Sequence, residues 1–288
     1  MRDLNYQLKQ LCRNNRDGGY RTQATRERVL TLIANQLHDL GYRGMQAHSL
    51  KPKHVEALVR RWRAEELSAG TLKNRLSALR WWAQKVQRQN VVARHNDHYG
   101  VPSRVFVTNV SKATSLDETA LEQVRDPHVR MSLELQAAFG LRREEAIKFM
   151  PSYANQGDHL LLKASWTKGG RARVVPIRND AQRDVLRRAH QLAGHGSLIP
   201  SARNYRHQLR VYERHTANAG LSKLHGLRHR YAQTRYQELT GWRAPAAGGL
   251  TSRELSGEQR VIDGNARLAI SRELGHEREA ITSVYLGK

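Results

Sequence analysis

His159-Leu-Leu-Leu-Lys163 and Arg173-Val-Val-Pro-Ile177, joined through Thr167-Lys168-Gly169-Gly170, form the one stretch of this chain that reads as strand, turn and strand. Two short apolar runs separated by a Gly-Gly pair predict an antiparallel hairpin with Lys168 at its tip or edge. On both sides the apolar spacing changes from two to three and four. Upstream, Ser115-Leu-Asp-Glu118 is a capping-box pattern, Pro127 opens a helix that runs to about Phe139, Gly140 breaks it, and residues 142–149 form a further short helix. Downstream, helices are expected over about 180–193, 202–219, 225–240 and 258–274, with a last piece from about 277. The expected fold class is therefore mainly α, with one small antiparallel sheet in an otherwise helical domain.

Further upstream, His95–Ser111 loses the helical period and contains Gly100 and Pro102, which marks a linker. Before it the chain is helical, with core stripes at Val29, Ile33, Leu37 and Leu40, at Val55, Leu58 and Trp62, and at Leu72, Leu76, Leu79, Ala83 and Val86. Trp62, Trp81 and Trp82 are read as core. The resulting division is a helical bundle over 1–95, a linker over 96–113 and a second domain over 114–288.

Composition narrows the partner. The 288 residues hold 49 Lys plus Arg, 38 of them Arg, against 26 Asp plus Glu, for a formal charge of +23. Acids are interleaved with bases, so the excess belongs to folded surface, and a field of this sign favours a polyanion, with nucleic acid first. Arg26, Arg28, Arg60, Arg61, Lys73, Arg75 and Arg80 are expected on the outward faces of the bundle as DNA-backbone contacts, the plainer alternative being a solvated basic face. No apolar run approaches the length of a membrane span, and the charged start MRDLNYQLKQL is unlike a signal peptide, so a cytoplasmic, nucleoid-associated protein is expected. The single cysteine, Cys12, permits no internal disulfide or cysteine-based zinc site. His48, His54, His190, His195, His207 and His215 share no ligand spacing, so no metal and no cofactor are expected.

Four separated segments could carry chemistry: Gly140-Leu-Arg142-Arg-Glu-Glu145; Thr167-Lys168 on its hairpin; His225-Gly-Leu-Arg228-His229; and Leu274-Gly-His276 followed nine residues later by Tyr285. Each alone has a structural explanation: a capped helix start, a turn, a pair one helical turn apart. Taken in order, they resemble the tyrosine recombinase, or phage integrase, family. The motif resemblance spans about residues 115–288. Residues 20–95, with Asn74-Arg-Leu-Ser-Ala-Leu-Arg-Trp-Trp-Ala83, are similar to that family's helical core-binding domain, though less specifically.

The resemblance implies a DNA strand-exchange enzyme that clamps the duplex between its two domains and works without metal or ATP. Tyr285 is the implied nucleophile, forming a 3′-phosphotyrosyl link. Arg142 and Arg228 would hold the non-bridging oxygens with their guanidinium forks, Lys168 would protonate the leaving 5′ oxygen, His225 would assist proton transfer and His276 would hydrogen-bond a non-bridging oxygen. Glu145 would fix the arginine, and His229 would brace the helix. Arg143 could exchange roles with Arg142. A metal-dependent nuclease would instead need clustered carboxylates, which are not evident. The implied partners are double-stranded attachment sites, a homotetramer on paired sites and DNA-bending accessory proteins, in the service of integration or excision of a phage or bacterial mobile element. A catalytically inactive DNA-binding protein with the same fold is the alternative, and a relaxing topoisomerase a further one.

Two features depart from compact members. The 48 positions from Arg228 to His276 include an extra stretch at about 240–257, read as a loop that is either tolerated surface or a contact to DNA or another protomer. Only Leu286-Gly-Lys288 follow Tyr285, which leads to the expectation of a mobile terminal piece and of no C-terminal helix to dock on a neighbour.

Overall fold

Several helix starts in this chain coincide with side chains that take up the free amide protons of a first turn. Ser68 accepts from Thr71 N–H at 3.3 Å, Asp126 from Val129 at 3.0 Å, Asn179 from Gln182 at 2.9 Å and Asn204 from His207 at 2.9 Å, which places the boundaries where propensity alone is indifferent. The computed structural model describes residues 3–276 and 279–288. It divides into two compact units, Met1–Val105 and Phe106–Lys288; the division falls within the stretch read as linker, while Tyr99 and Val101 still pack into the first core.

The first unit is a bundle of α1 (Asp3–Asn14), α2 (Tyr20–Asp39), α3 (Pro52–Ala64) and α4 (Ala69–Lys85). The stripe of α3 is buried as expected, as is that of α4 apart from Val86, a half-buried C-cap; on α2, Ile33 and Leu37 are buried as expected, while Val29 is half-buried. Leu30, Ile33, Ala34 and Leu37 face the core, while Leu40, the C-cap, is exposed. Trp62 and Trp82 are fully buried, with indole N–H groups satisfied by Gln36 Oε1 and Ala47 O, both at 2.8 Å. Trp81 is only half-buried: it packs against the edge of the first core, donates to Asp17 at 2.8 Å and carries the Arg26 guanidinium 4.4 Å above its ring. Two of the basic residues expected to face outward are corrected. Arg75 sets its guanidinium over Trp62 at 5.2 Å, and Arg80 turns back to Ala93 O (2.9 Å) and Asn96 (2.8 Å), since an aromatic face and oxygen acceptors each take up a guanidinium. Arg60 is exposed; Arg61 is tied to Glu65 at 2.8 Å; Arg26 and Lys73 are half-buried.

In the second unit, α5 (Glu118–Glu122), α6 (Pro127–Phe139), α7 (Arg143–Ile147) and α8 (Pro151–Ala154) lead into β1 (His159–Leu162) and β2 (Arg173–Pro176). They are followed by α9 (Asp180–Ala193), α10 (Tyr205–Asn218), α11 (Gly226–Thr240), α12 (Gly257–Glu273) and α13 (Glu279–Leu286). The start expected near 277 lies outside the described residues. β1 and β2 pair antiparallel from His159↔Pro176 to Leu162↔Arg173. The connection is longer than a tight hairpin: Trp166, in a 3₁₀ turn, packs against Phe149 and Tyr153, and Gly169 and Gly170 then close the turn at φ +96° and +68°, angles that disfavour any other residue. α6 and α11 cross the middle of this unit, and Phe139, Tyr231, Tyr236, Ile270 and Leu286 meet in its core.

The stretch read as a surface loop at 240–257 is partly interior. Ala244, Pro245 and Ala246 are buried, and a Cβ on Gly287 would come within 2.8 Å of Ala246 N. The end of the chain is correspondingly held: Arg267 donates to Gly287 O at 2.9 Å, Gln233 to Tyr285 O at 3.0 Å, and Asn109 accepts from Lys288 N–H at 2.9 Å. In place of the loosely held terminal piece expected from the sequence, the structure packs α13 into the core, because the extra stretch supplies the surface on which the last residues rest. No described helix is long and apolar enough to cross a membrane.

Candidate active site

Gly140, at φ +60°, ends α6 so tightly against Tyr231 that a Cβ would stand 2.7 Å from the ring. This close passage brings Arg142, the N-cap of α7, inward. Its backbone N–H donates to Glu145 Oε2 at 2.7 Å and its Nη1 to Glu145 Oε1 at 2.8 Å, a box in which the carboxylate caps the helix and orients the guanidinium together. Arg143 points elsewhere and pairs with Glu213 at 3.0 Å, so Arg142 is the arginine in the site.

Opposite, His225 stands at the N-cap position of α11 and Arg228 lies in its first turn, 1% exposed. Arg228 donates Nη1 to Gly140 O at 2.6 Å, Nη2 to Leu274 O and Nε to Tyr285 Oη at 3.3 Å. Arg142 Nη2 reaches the same Leu274 carbonyl at 3.3 Å. Tyr285, 6% exposed on α13, also has its hydroxyl 3.4 Å from His225 Nε2. The His276 ring is stacked on the phenol at 5.5 Å and 21°, and His229 lies 4.6 Å from it. Arg142, Glu145, His225, Arg228, His229, His276 and Tyr285 are thus brought together from segments as much as 143 positions apart. Lys168 is not among them. It is exposed on the turn between the strands.

The electrostatics follow from packing several guanidiniums around one carboxylate. Burial alone would raise the Glu145 carboxyl, but Arg173, Arg228 and Arg142 outweigh it and hold it below the usual carboxylate range. Burial, reinforced by Arg228, Arg142 and Arg173, pushes His276 down to about 3. Burial, His225 and the cations Lys112 and Arg228 push His229 down to about 4, and burial with Arg228 and Arg142 lowers His225 as well. The three imidazoles are consequently neutral at neutral pH, each with one nitrogen able to accept a proton. His276 Nδ1 is buried without a hydrogen-bond partner in the structure. Among the described residues, no three His, Cys, Asp or Glu side chains stand close enough to share a metal ion.

Arg173 is the residue the sequence reading missed. It is buried on β2, pairs with Glu145 and donates to Glu273 O at 2.5 Å. The signal was present: side chains alternate along a strand, so if Val175 faces the core, Arg173 does too, and a charge at a core-facing position marks a paired site. Glu273 was also passed over; it accepts from Tyr231 Oη at 2.8 Å and Arg235 Nε at 2.9 Å and anchors the end of α12, just before His276.

Comparison with known proteins agrees with this architecture. The family profile described as "Phage integrase, N-terminal" matches residues 1–92, and that described as "Integrase" matches residues 103–234. No curated protein sequence matches the chain. The fold is similar to a lambda integrase dimer bound to a COC′ core site (15% identity, covering 98% of this chain and 76% of that one, TM-score 0.62). It is similar also to the XerH site-specific recombinase in its post-cleavage complex with palindromic difH substrate (16%, 99% and 81%, 0.59), and to the Tn1549 transposon integrase with circular intermediate DNA (12%, 100% and 96%, 0.57). Identities this low speak to fold, whereas the two profiles match residues 1–92 and 103–234, in the order of the two compact units, and leave residues 235–288 unmatched. With the two profiles of one family matching residues 1–92 and 103–234 in order, the chain belongs to the phage integrase, or tyrosine recombinase, family.

Proposed function

We propose that this protein is a site-specific DNA recombinase that cleaves and rejoins duplex DNA through a 3′-phosphotyrosyl intermediate on Tyr285. The observation that carries the reading is the placement of Tyr285 Oη, within 3.3 Å of Arg228 Nε and 3.4 Å of His225 Nε2. A phenol with a reference pKa of about 10 needs an acceptor and nearby positive charge to attack at neutral pH, and this one has both.

In the proposed step, Tyr285 Oη attacks the scissile phosphorus as its proton passes to the neutral His225 ring, and the bond to the 5′ oxygen breaks. Charge that builds on the non-bridging oxygens is met by Arg142 and Arg228, whose Nη groups now converge on the Leu274 carbonyl, and by the His276 ring. Phosphate oxygens would compete with that carbonyl for the same donors. Lys168 supplies the proton to the leaving oxygen; its exposed turn leaves that approach to the DNA-bound state. Attack by a free 5′ hydroxyl reverses every step, so the bond energy is kept and neither ATP nor a metal ion enters.

The substrate in this reading is a pair of attachment sites held by four protomers, a reading supported by the similar fold of a lambda integrase tetramer bound to a Holliday junction (TM-score 0.57). Integration or excision of a mobile element is the biological role proposed, with DNA-bending accessory proteins as partners and a place among cytoplasmic, DNA-associated proteins. The test is to express the wild type and Tyr285→Phe beside candidate element DNA, recover the protein under denaturing conditions and sequence what stays attached. DNA on the wild type alone is expected. Equal attachment to both would refute the nucleophile, and none on either, with duplex binding intact and a nicked substrate also uncleaved, would make the protein a non-catalytic DNA binder.

A further inference from the structure

Arg173 is an expensive residue to keep. Its side chain is 5% exposed and its partner Glu145 is fully buried, in surroundings where a well-packed apolar pair of similar volume would be as stable or more so. Burial pushes its guanidinium down to about 9 even with Glu145 beside it. What it touches gives the reason for the charge. One Nη holds Glu145 Oε2, the oxygen that also takes the Arg142 backbone N–H, while Glu145 Oε1 takes Arg142 Nη1. The other Nη holds Glu273 O, and its methylenes fill the space beside Gly275, where a Cβ would meet Arg173 Cδ at 2.7 Å. Between Glu273 and Gly275 lies Leu274, whose carbonyl both Arg142 and Arg228 hold, and His276 follows directly. One side chain, on a strand paired to its neighbour at Leu162, therefore sets both the carboxylate behind Arg142 and the segment that carries His276.

We infer that Arg173 is a positioning residue of the transesterification site, which by sharing Glu145 with Arg142 keeps the Arg142 fork available to phosphate and by gripping residues 273–275 sets the His276 ring. The inference rests on the function proposed above. Its physical content is a competition. With Arg173 present, each guanidinium has a part-share of one carboxylate. Without it, Glu145 Oε2, left with the Arg142 backbone N–H alone, can also take Arg142 Nη2 while Oε1 keeps Nη1, closing a bidentate pair that draws the fork away from DNA.

The experiment measures single-turnover adduct formation on a nicked duplex by wild type, Tyr285→Phe, Arg173→Met and Arg173→Lys, alongside duplex affinity and melting temperature. Each protein is given a normal scissile phosphodiester and a methylphosphonate, in which one charged oxygen is replaced by a methyl group. Arg173→Met should bind duplex within about threefold of wild type and form adduct about a hundredfold or more slowly, the scale of losing one oriented charge-stabilising group. On the methylphosphonate, which asks less of Arg142, the deficit relative to wild type should shrink by about tenfold, one 1.4 kcal/mol step. Arg173→Lys, which keeps the charge without the fork, should fall between, and it carries the same comparison if Arg173→Met melts below the assay temperature. An unchanged rate, or a deficit equal on both substrates, would overturn the inference and leave Arg173 a structural brace. Absence of wild-type adduct would instead overturn the proposed function, and this inference with it.

Discussion

Replacing Glu145 by Gln removes one negative charge from a buried cluster and leaves its shape almost unchanged. In the folded protein that carboxylate is fully buried and accepts from the Arg142 backbone, Arg142 Nη1 and Arg173, with Arg228 close enough to lower its pKa further. The neutral amide keeps one acceptor and turns a donor toward a guanidinium. Breaking a buried pair while leaving the other charge in place costs about 3–5 kcal/mol, against a total stability of about 5–15 kcal/mol for a domain. For a unit of this size each kcal/mol lowers the melting temperature by about 2–4 °C, so a fall of roughly 6–20 °C is expected in a thermal melt of the full chain, confined to the transition of Phe106–Lys288. The double variant Glu145→Gln with Arg173→Met removes the stranded charge too, and it should recover part of the loss instead of adding to it. A single-variant loss below about 1 kcal/mol, or strict additivity in the double, would refute the account of the cluster as one carboxylate restraining several buried cations.

Arg60→Ala should weaken duplex binding across sequences and reduce the salt slope of log K by about one, with stability unchanged; an unaltered slope would make that face mere solvated surface. Arg75→Ala should instead lower stability by about 1 kcal/mol through its lost packing on Trp62, read by denaturant midpoint. Acid should destabilise the second unit. His276 and His229, pushed down to about 3 and about 4 in the fold, return toward about 6.5 on unfolding. The unfolded chain then binds more protons in that window, and the stability they contribute, complete above about pH 6.5, drains as pH falls through it. Urea midpoints at pH 7.5 and 5.0 test this, and an unchanged or higher midpoint at pH 5.0 would count against buried neutral imidazoles.

Much of the layout was legible because it is local. Capping side chains, glycine breaks and three-four spacing depend on neighbours a few residues away, so most helices and the strand pair could be read in order, although the helix expected behind Ser115 is capped instead by Asp117. The errors have a shared cause. Leu40 is exposed, Val29 and Trp81 lie only half-buried at the edge of the core, and Arg75 and Arg80 turn inward, because which edge of an amphipathic face is covered depends on the partner helix. The stretch after Thr240 looked like loose surface for the same reason: its Pro-Ala-Ala becomes interior only once the chain end lies on it.

The site divides along the same line. By itself the sequence determined the residue types and their order, Arg142, Lys168, His225, Arg228, His276 and Tyr285, and through the resemblance that this order carries, the family. Only the tertiary structure decided that Arg142 and not Arg143 enters the site, that Tyr285 is docked between Arg228 and His225, that Lys168 stays exposed on its turn, and that Arg173 belongs to the cluster. These are matters of which buried charge shares which oxygen, and such contacts join residues as much as 143 positions apart in the chain, where no local pattern carries the information.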